Sequence, residues 1–186
     1  EDGVSGLAIG GGATGFEVEH LEITGVGFAG ITMKTDDNGD ATMVGCKLHD
    51  LYIHDTASEG VYIGSTQSQP QHRIEGMELY NNRFVRTGTE AIQLGQLGPG
   101  NRIHHNVFLM GAVQWKSPFQ QWQDNNFQYG VREGDNEVDH NVFVGAAGSL
   151  LSWFGQVQSN DNPASGDTVH VHDNYWSHGR GLAAYL

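Results

Sequence analysis

Glu59 and Glu90 stand 31 residues apart in equivalent settings. Each lies two residues ahead of a short apolar strand closed by glycine, Val61-Tyr62-Ile63-Gly64 in one case and Ile92-Gln93-Leu94-Gly95 in the other. If those strands stack, the two carboxyls become neighbours. Like charges at that separation repel, so one carboxyl takes a proton or a cation sits between them. A shared proton gives a general acid beside a base or nucleophile, the pairing used in glycoside hydrolysis. A Ca²⁺ ion would instead hold an acidic ligand and polarise it. In that case Lys34, on the same outward parity as Thr32, is the base candidate. Glu59, Glu90 and Lys34 are therefore the candidate catalytic residues. The plain alternative is that both glutamates are turn residues facing water, as exposed charges usually are.

Further groups fall into place around this pair. Asn125 holds the position of Glu59 and Glu90 ahead of the next strand. Aligning the strands puts Ala8, Thr32, Tyr62, Gln93, Gln128, Leu151 and Ala183 in one outward column, polar in its middle. Residues 110–124, MGAVQWKSPFQQWQD, form the largest insertion between matched units. Trp115 and Trp122 there could stack on the apolar face of a ring, and the neighbouring glutamines suit hydroxyls. The competing expectation is that these aromatics fold back over the core. Tyr62, Gln93, Trp115, Trp122, Asn125 and Gln128 are the candidate substrate-binding set. Asp36, Asn38 and Asp40 alternate as oxygen ligands do in a Ca²⁺ loop, but Ala41 follows where such a loop needs glycine. An acidic surface turn is the simpler reading of that stretch.

What must position these residues is a repeat. Glu90–Phe108 and Asn125–Phe143 align without gaps; Asn101 matches Asn136, and His105-Asn106-Val107-Phe108 matches His140-Asn141-Val142-Phe143 letter for letter. Related units anchor at residues 18, 48, 79, 103, 138 and 171, spaced by 30, 31, 24, 35 and 33. Three residues past four of the anchors stand Asn82, Asn106, Asn141 and Asn174, and five past all six stand Ile23, Ile53, Phe84, Phe108, Phe143 and Trp176. Stacked coils would turn the first set into a ladder of amides and the second into a column of the core. Most of the ten histidines fall one or two residues before the ladder position, where turn residues are expected rather than metal ligands.

Composition agrees with short strands and tight turns. The 186 residues include 27 glycines and four prolines and show no long helical periodicity. A net charge of −13 excludes an electrostatic nucleic-acid binder. No apolar run approaches membrane length, so no membrane insertion is expected. The lone Cys46 makes no disulfide framework and reads as a small buried hydrophobe.

The repeated H-N-x-F and H-D-x-Y units, the G-φ-x-φ-G strands and the asparagine ladder resemble the right-handed parallel β-helices of the pectate-lyase-like superfamily. The resemblance implies an all-β, single-stranded β-helix of about seven coils, one domain over 1–186, set within a longer solenoid. It implies a secreted or cell-surface, carbohydrate-active protein whose partner is an extracellular polysaccharide, cleaved by a lyase or a glycoside hydrolase. Ca²⁺ is the candidate cofactor. The alternative is a non-catalytic structural or glycan-binding β-helix, because the fold serves both. The paired-Asp signature of polygalacturonases and the D-P-H-E of epimerases are absent.

Overall fold

The computed structural model describes residues 3–34, 41–64, 73–116, 123–131, 134–153, 168–180 and 184–185. Short strands, most of three to five residues, follow one another through three sheets. Every described strand pair is parallel. The second and third sheets hold six strands each; the first has a path of seven, with Thr42–Val44 and Arg73–Glu75 attached at its side. This is a parallel β-helix. One coil cannot bury its own inner face, so coils stack about 4.8 Å apart and bury a shared column. Among the described residues there are six complete three-strand turns and one further first-sheet strand, against an expected count of about seven.

The anchors fall in register. Val18, Leu48, Leu79, Ile103, Val138 and Val171 are successive partners in the second sheet. In the third sheet, Ile23, Ile53, Phe84, Phe108, Phe143 and Trp176 are partners in the same way. The aromatic rings stack face to face, with centroids 5.3, 4.7 and 4.6 Å apart from Phe84 to Trp176. Cys46 is fully buried in this core.

The corner between these two sheets is one residue in the left-handed region. His20, Asp50, Asn81, His105, His140 and Asp173 all sit there, with φ between 52° and 56°. Asn, Asp and His tolerate that conformation better than other side chains, which explains why the residue types vary while the position repeats. The next residue is the ladder. Asn106 Oδ1 accepts from the Asn82 backbone N–H and Nδ2, each at 3.0 Å, while its own Nδ2 donates to Asn141 Oδ1 and to the Leu79 and His104 carbonyls. Asn141 repeats this with Asn174, and Asn82 Oδ1 ends the ladder on the Leu51 N–H.

One expected column slips. Gln128 pairs with Ser152, and Leu151 pairs with Phe127 and is buried. Leu150, not Ser149, takes the place of the glycine, since the Phe127 N–H donates to the Leu150 carbonyl. A shift of one residue turns a strand over, so Leu151 belongs to the core and not to the outward column. Ala183, the last expected member, lies outside the described residues.

Candidate functional site

The corner from the third sheet into the first carries Glu59 and Glu90. Two threonines shape it in successive coils: Thr56 Oγ1 donates to the Ser58 carbonyl at 2.7 Å, and Thr87 Oγ1 to that of Thr89 at 2.8 Å. The backbone then stacks, with the Gly30 N–H on the Glu59 carbonyl and the Gly60 N–H on the Glu90 carbonyl. At residue 60 there is room only for glycine, although Ala91 holds the equivalent place one coil on. A Cβ on Gly60 would stand 2.5 Å from the Ala91 carbonyl oxygen and 2.9 Å from Phe84 Cδ1. The strand register makes Ala29, Glu59, Glu90 and Asn125 one column.

The solvated-turn reading of the two glutamates is overturned. Glu59 is 1% exposed and Glu90 0%. Among the described residues, no donor reaches either oxygen of Glu90 in normal hydrogen-bond geometry. Burial pushes the Glu90 carboxyl well above the usual carboxylate range and the charge of Glu59 pushes it further; its own backbone N–H and Thr89 oppose the rise, and Asp124 adds least. Burial and the neighbouring carboxyl thus both favour the protonated form of Glu90. The only alternative means of compensating its charge is a cation. The Gln93 Oε1, also buried without a hydrogen-bond partner, adds another acceptor near the start of the same strand. The carboxylate oxygens of the glutamate pair suit a hard cation of the Ca²⁺ kind.

The substrate-binding candidates separate. Thr32, Tyr62, Gln93 and Gln128 are in register on successive first-sheet strands. Gln93 and Gln128 are buried, and Tyr62 is half-buried. The Lys34 ammonium lies 3.3 Å from the centre of the Tyr62 ring. That cation–π contact occupies one face of the ring. Asn125 is buried above Glu90. Trp115 is half-buried and closes a turn on the Ala112 carbonyl. The start of the 110–124 insertion is tied into the stack: the N–H groups of Ala112, Val113 and Gln114 donate to the carbonyls of Thr89, Thr87 and Gly88. Trp122 lies outside the described residues, as do Asp36, Asn38 and Asp40.

Sequence reasoning missed a second amide ladder. Asn136 Oδ1 accepts from the Asn101 backbone N–H and Nδ2, and Asn101 Oδ1 from the Met77 N–H. The gapless match of Asn101 with Asn136 was the available signal. It also missed Asn126, which ties Gly111 to Gly145 across coils.

No protein-family model and no curated protein matches the sequence. Among solved structures, the crystal structure of pectate lyase Pel9A is similar at 12% identity, with a TM-score of 0.35. The match covers 91% of this chain and 53% of that one, so the chain spans about half the length of that structure. The parallel β-helix rests on the strand pairing of this chain itself.

Proposed function

We propose that this parallel β-helix is a secreted or cell-surface carbohydrate-active protein that processes an extracellular polysaccharide along the first sheet, by hydrolase or lyase chemistry. The observation that carries the reading is the stacked pair of buried carboxyls, Glu59 and Glu90. Nothing in the packing of a β-helix requires two acids at that corner, and the equivalent position one coil below is Ala29. In the hydrolase form, Glu90 holds a proton to deliver to a leaving oxygen, and Glu59 serves as base or nucleophile. In the lyase form, Glu59 and Glu90 would hold Ca²⁺, which would draw electron density from a uronate carboxylate. Lys34 would then take the proton, after leaving the Tyr62 ring. Tyr62, Gln93, Asn125 and Gln128, with Trp115 and Trp122, supply amides and rings for sugar hydroxyls and ring faces.

A second reading, a non-catalytic glycan-binding or structural β-helix, is favoured by one observation: neither glutamate reaches the surface. A panel of neutral and acidic polysaccharides separates these readings. New reducing ends without unsaturated products identify a hydrolase, and unsaturated uronate absorbance identifies a lyase. Binding without either supports the second reading. Full activity in Glu90→Gln would remove the carboxyl pair from the mechanism.

A further inference from the structure

The outer face of the second sheet carries two columns of polar side chains. Along the first run Glu17, Lys47, Glu78, Arg102, Glu137 and His170, so acids and bases alternate from coil to coil. Along the second run Glu19, His49, Tyr80, His104, Asp139 and His172. Between the fifth and sixth strands the columns converge. One ligand atom each from Glu137, Asp139 and His172 lies within 4.8 Å of the other two, the one such group among the described residues.

Each member is held for the purpose. His172 Nδ1 bonds to Asp173 Oδ2 at 2.8 Å, which leaves Nε2 directed at Glu137 Oε1, also 2.8 Å away. A carboxylate behind an imidazole is the usual support of a metal-ligating histidine. The Asp139 side chain is fully buried and clamped by Arg102 through both oxygens, at 2.9 and 2.8 Å, and by His140 Nδ1 at 2.6 Å. Each carboxylate oxygen has two lone pairs, so the clamp orients Asp139 and leaves acceptor capacity over. Glu137 and His172 have side chains 38% and 43% exposed, so an ion can enter and keep water on its open positions.

We propose that Glu137, Asp139 and His172 bind one first-row divalent transition metal ion, of the Zn²⁺ kind, bridging adjacent strands of the second sheet. One imidazole nitrogen with two carboxylate oxygens selects such an ion over Ca²⁺ or Mg²⁺, and three protein ligands leave coordination open to water or an exogenous ligand. The site is independent of the Glu59–Glu90 corner.

The chain contains its own control. Glu17-Val18-Glu19-His20 repeats the types of Glu137-Val138-Asp139-His140, and Leu48-His49-Asp50 repeats Val171-His172-Asp173. His49 Nε2 is likewise 2.8 Å from Glu17, and His49 Nδ1 is 2.7 Å from Asp50. Glu19 lies 3.8 Å from His49 and 3.3 Å from His20, but the ligand atoms of Glu17, Glu19 and His49 do not all come within 4.8 Å of one another, as those of Glu137, Asp139 and His172 do.

Calorimetric titration of the folded chain with ZnCl₂ tests the proposal. One equivalent should bind, with at least about tenfold weaker affinity in His172→Gln and in the more conservative Glu137→Gln. His49→Gln should bind as the parent does, and CaCl₂ should not compete. Cobalt(II) should give a visible spectrum that His172→Gln abolishes. Absence of binding, equal loss in His49→Gln, retention in both site variants, or displacement by Ca²⁺ would each overturn it.

Discussion

Replacing Asn106 by alanine removes the centre of the ladder, and its cost can be worked from the contacts. The Asn82 backbone N–H loses its acceptor at 3.0 Å and lies where water cannot replace it, since Asn82 is 1% exposed. An orphaned buried donor costs about 1–3 kcal/mol. The Leu79 and His104 carbonyls lose a donor as well, at about 1 kcal/mol net each. Asn82 Nδ2 keeps the Leu48 carbonyl, and Asn141 Oδ1 keeps the Asn106 N–H, so those groups add little. The sum is about 3–5 kcal/mol, or a fall in Tm of roughly 10 °C for a chain of this size. Asn174→Ala makes the comparison. Its loss orphans the N–H of Asn141, also 1% exposed, but Asn174 itself is half-buried, so water entering the vacated position substitutes in part and the loss should be smaller, about 1–3 kcal/mol. Urea unfolding followed by circular dichroism gives both numbers. Hydrogen exchange at the Asn82 amide locates the effect and does not depend on two-state unfolding, which long solenoids often violate. A loss below about 1 kcal/mol in Asn106→Ala, or equal losses at the two positions, would show that the ladder is not held as described.

Three other outcomes are expected. Glu90, with a folded pKa raised above its usual 4.5, contributes stability that is present below that value and lost as pH rises through the raised one. Glu90→Gln should therefore flatten the fall in Tm between acid and neutral pH and be the more stable protein at neutrality; an unchanged pH profile would refute the buried acid. His54 is raised above 6.5 chiefly by its 2.6 Å bond to Asp55, with Glu22 adding to the rise and burial opposing it. Its contribution is full below 6.5 and is lost as pH climbs through the raised value, so the stability of His54→Gln should vary less with pH over that window. Gly60→Ala should destabilise by about 1–3 kcal/mol in denaturant melts through overpacking against the Ala91 carbonyl and the Phe84 ring; a neutral result would mean that the corner relaxes freely.

The repeat alone determined the fold and most of its register. Strand side chains alternate with a period of two, and each coil repeats the same corner, so Leu48, Leu79 and Ile103, or Phe84, Phe108 and Phe143, could be stacked by counting. Counting failed at Ser149-Leu150-Leu151-Ser152, where two adjacent leucines make the alternation ambiguous and only the hydrogen bond from Phe127 to Leu150 decides which faces inward. The adjacency of Glu59 and Glu90 was likewise legible, because it follows from register. Their burial was not. Whether a turn carboxyl meets water or protein depends on how neighbouring coils close over it, and no spacing along the chain encodes that. The same holds for Glu137, Asp139 and His172, whose types recur at Glu17, Glu19 and His49 without the same convergence. Side chains 33 and 35 residues apart meet only because strands pair, and whether three of them point to one place is a matter of rotamers set by the clamp of Arg102 on Asp139.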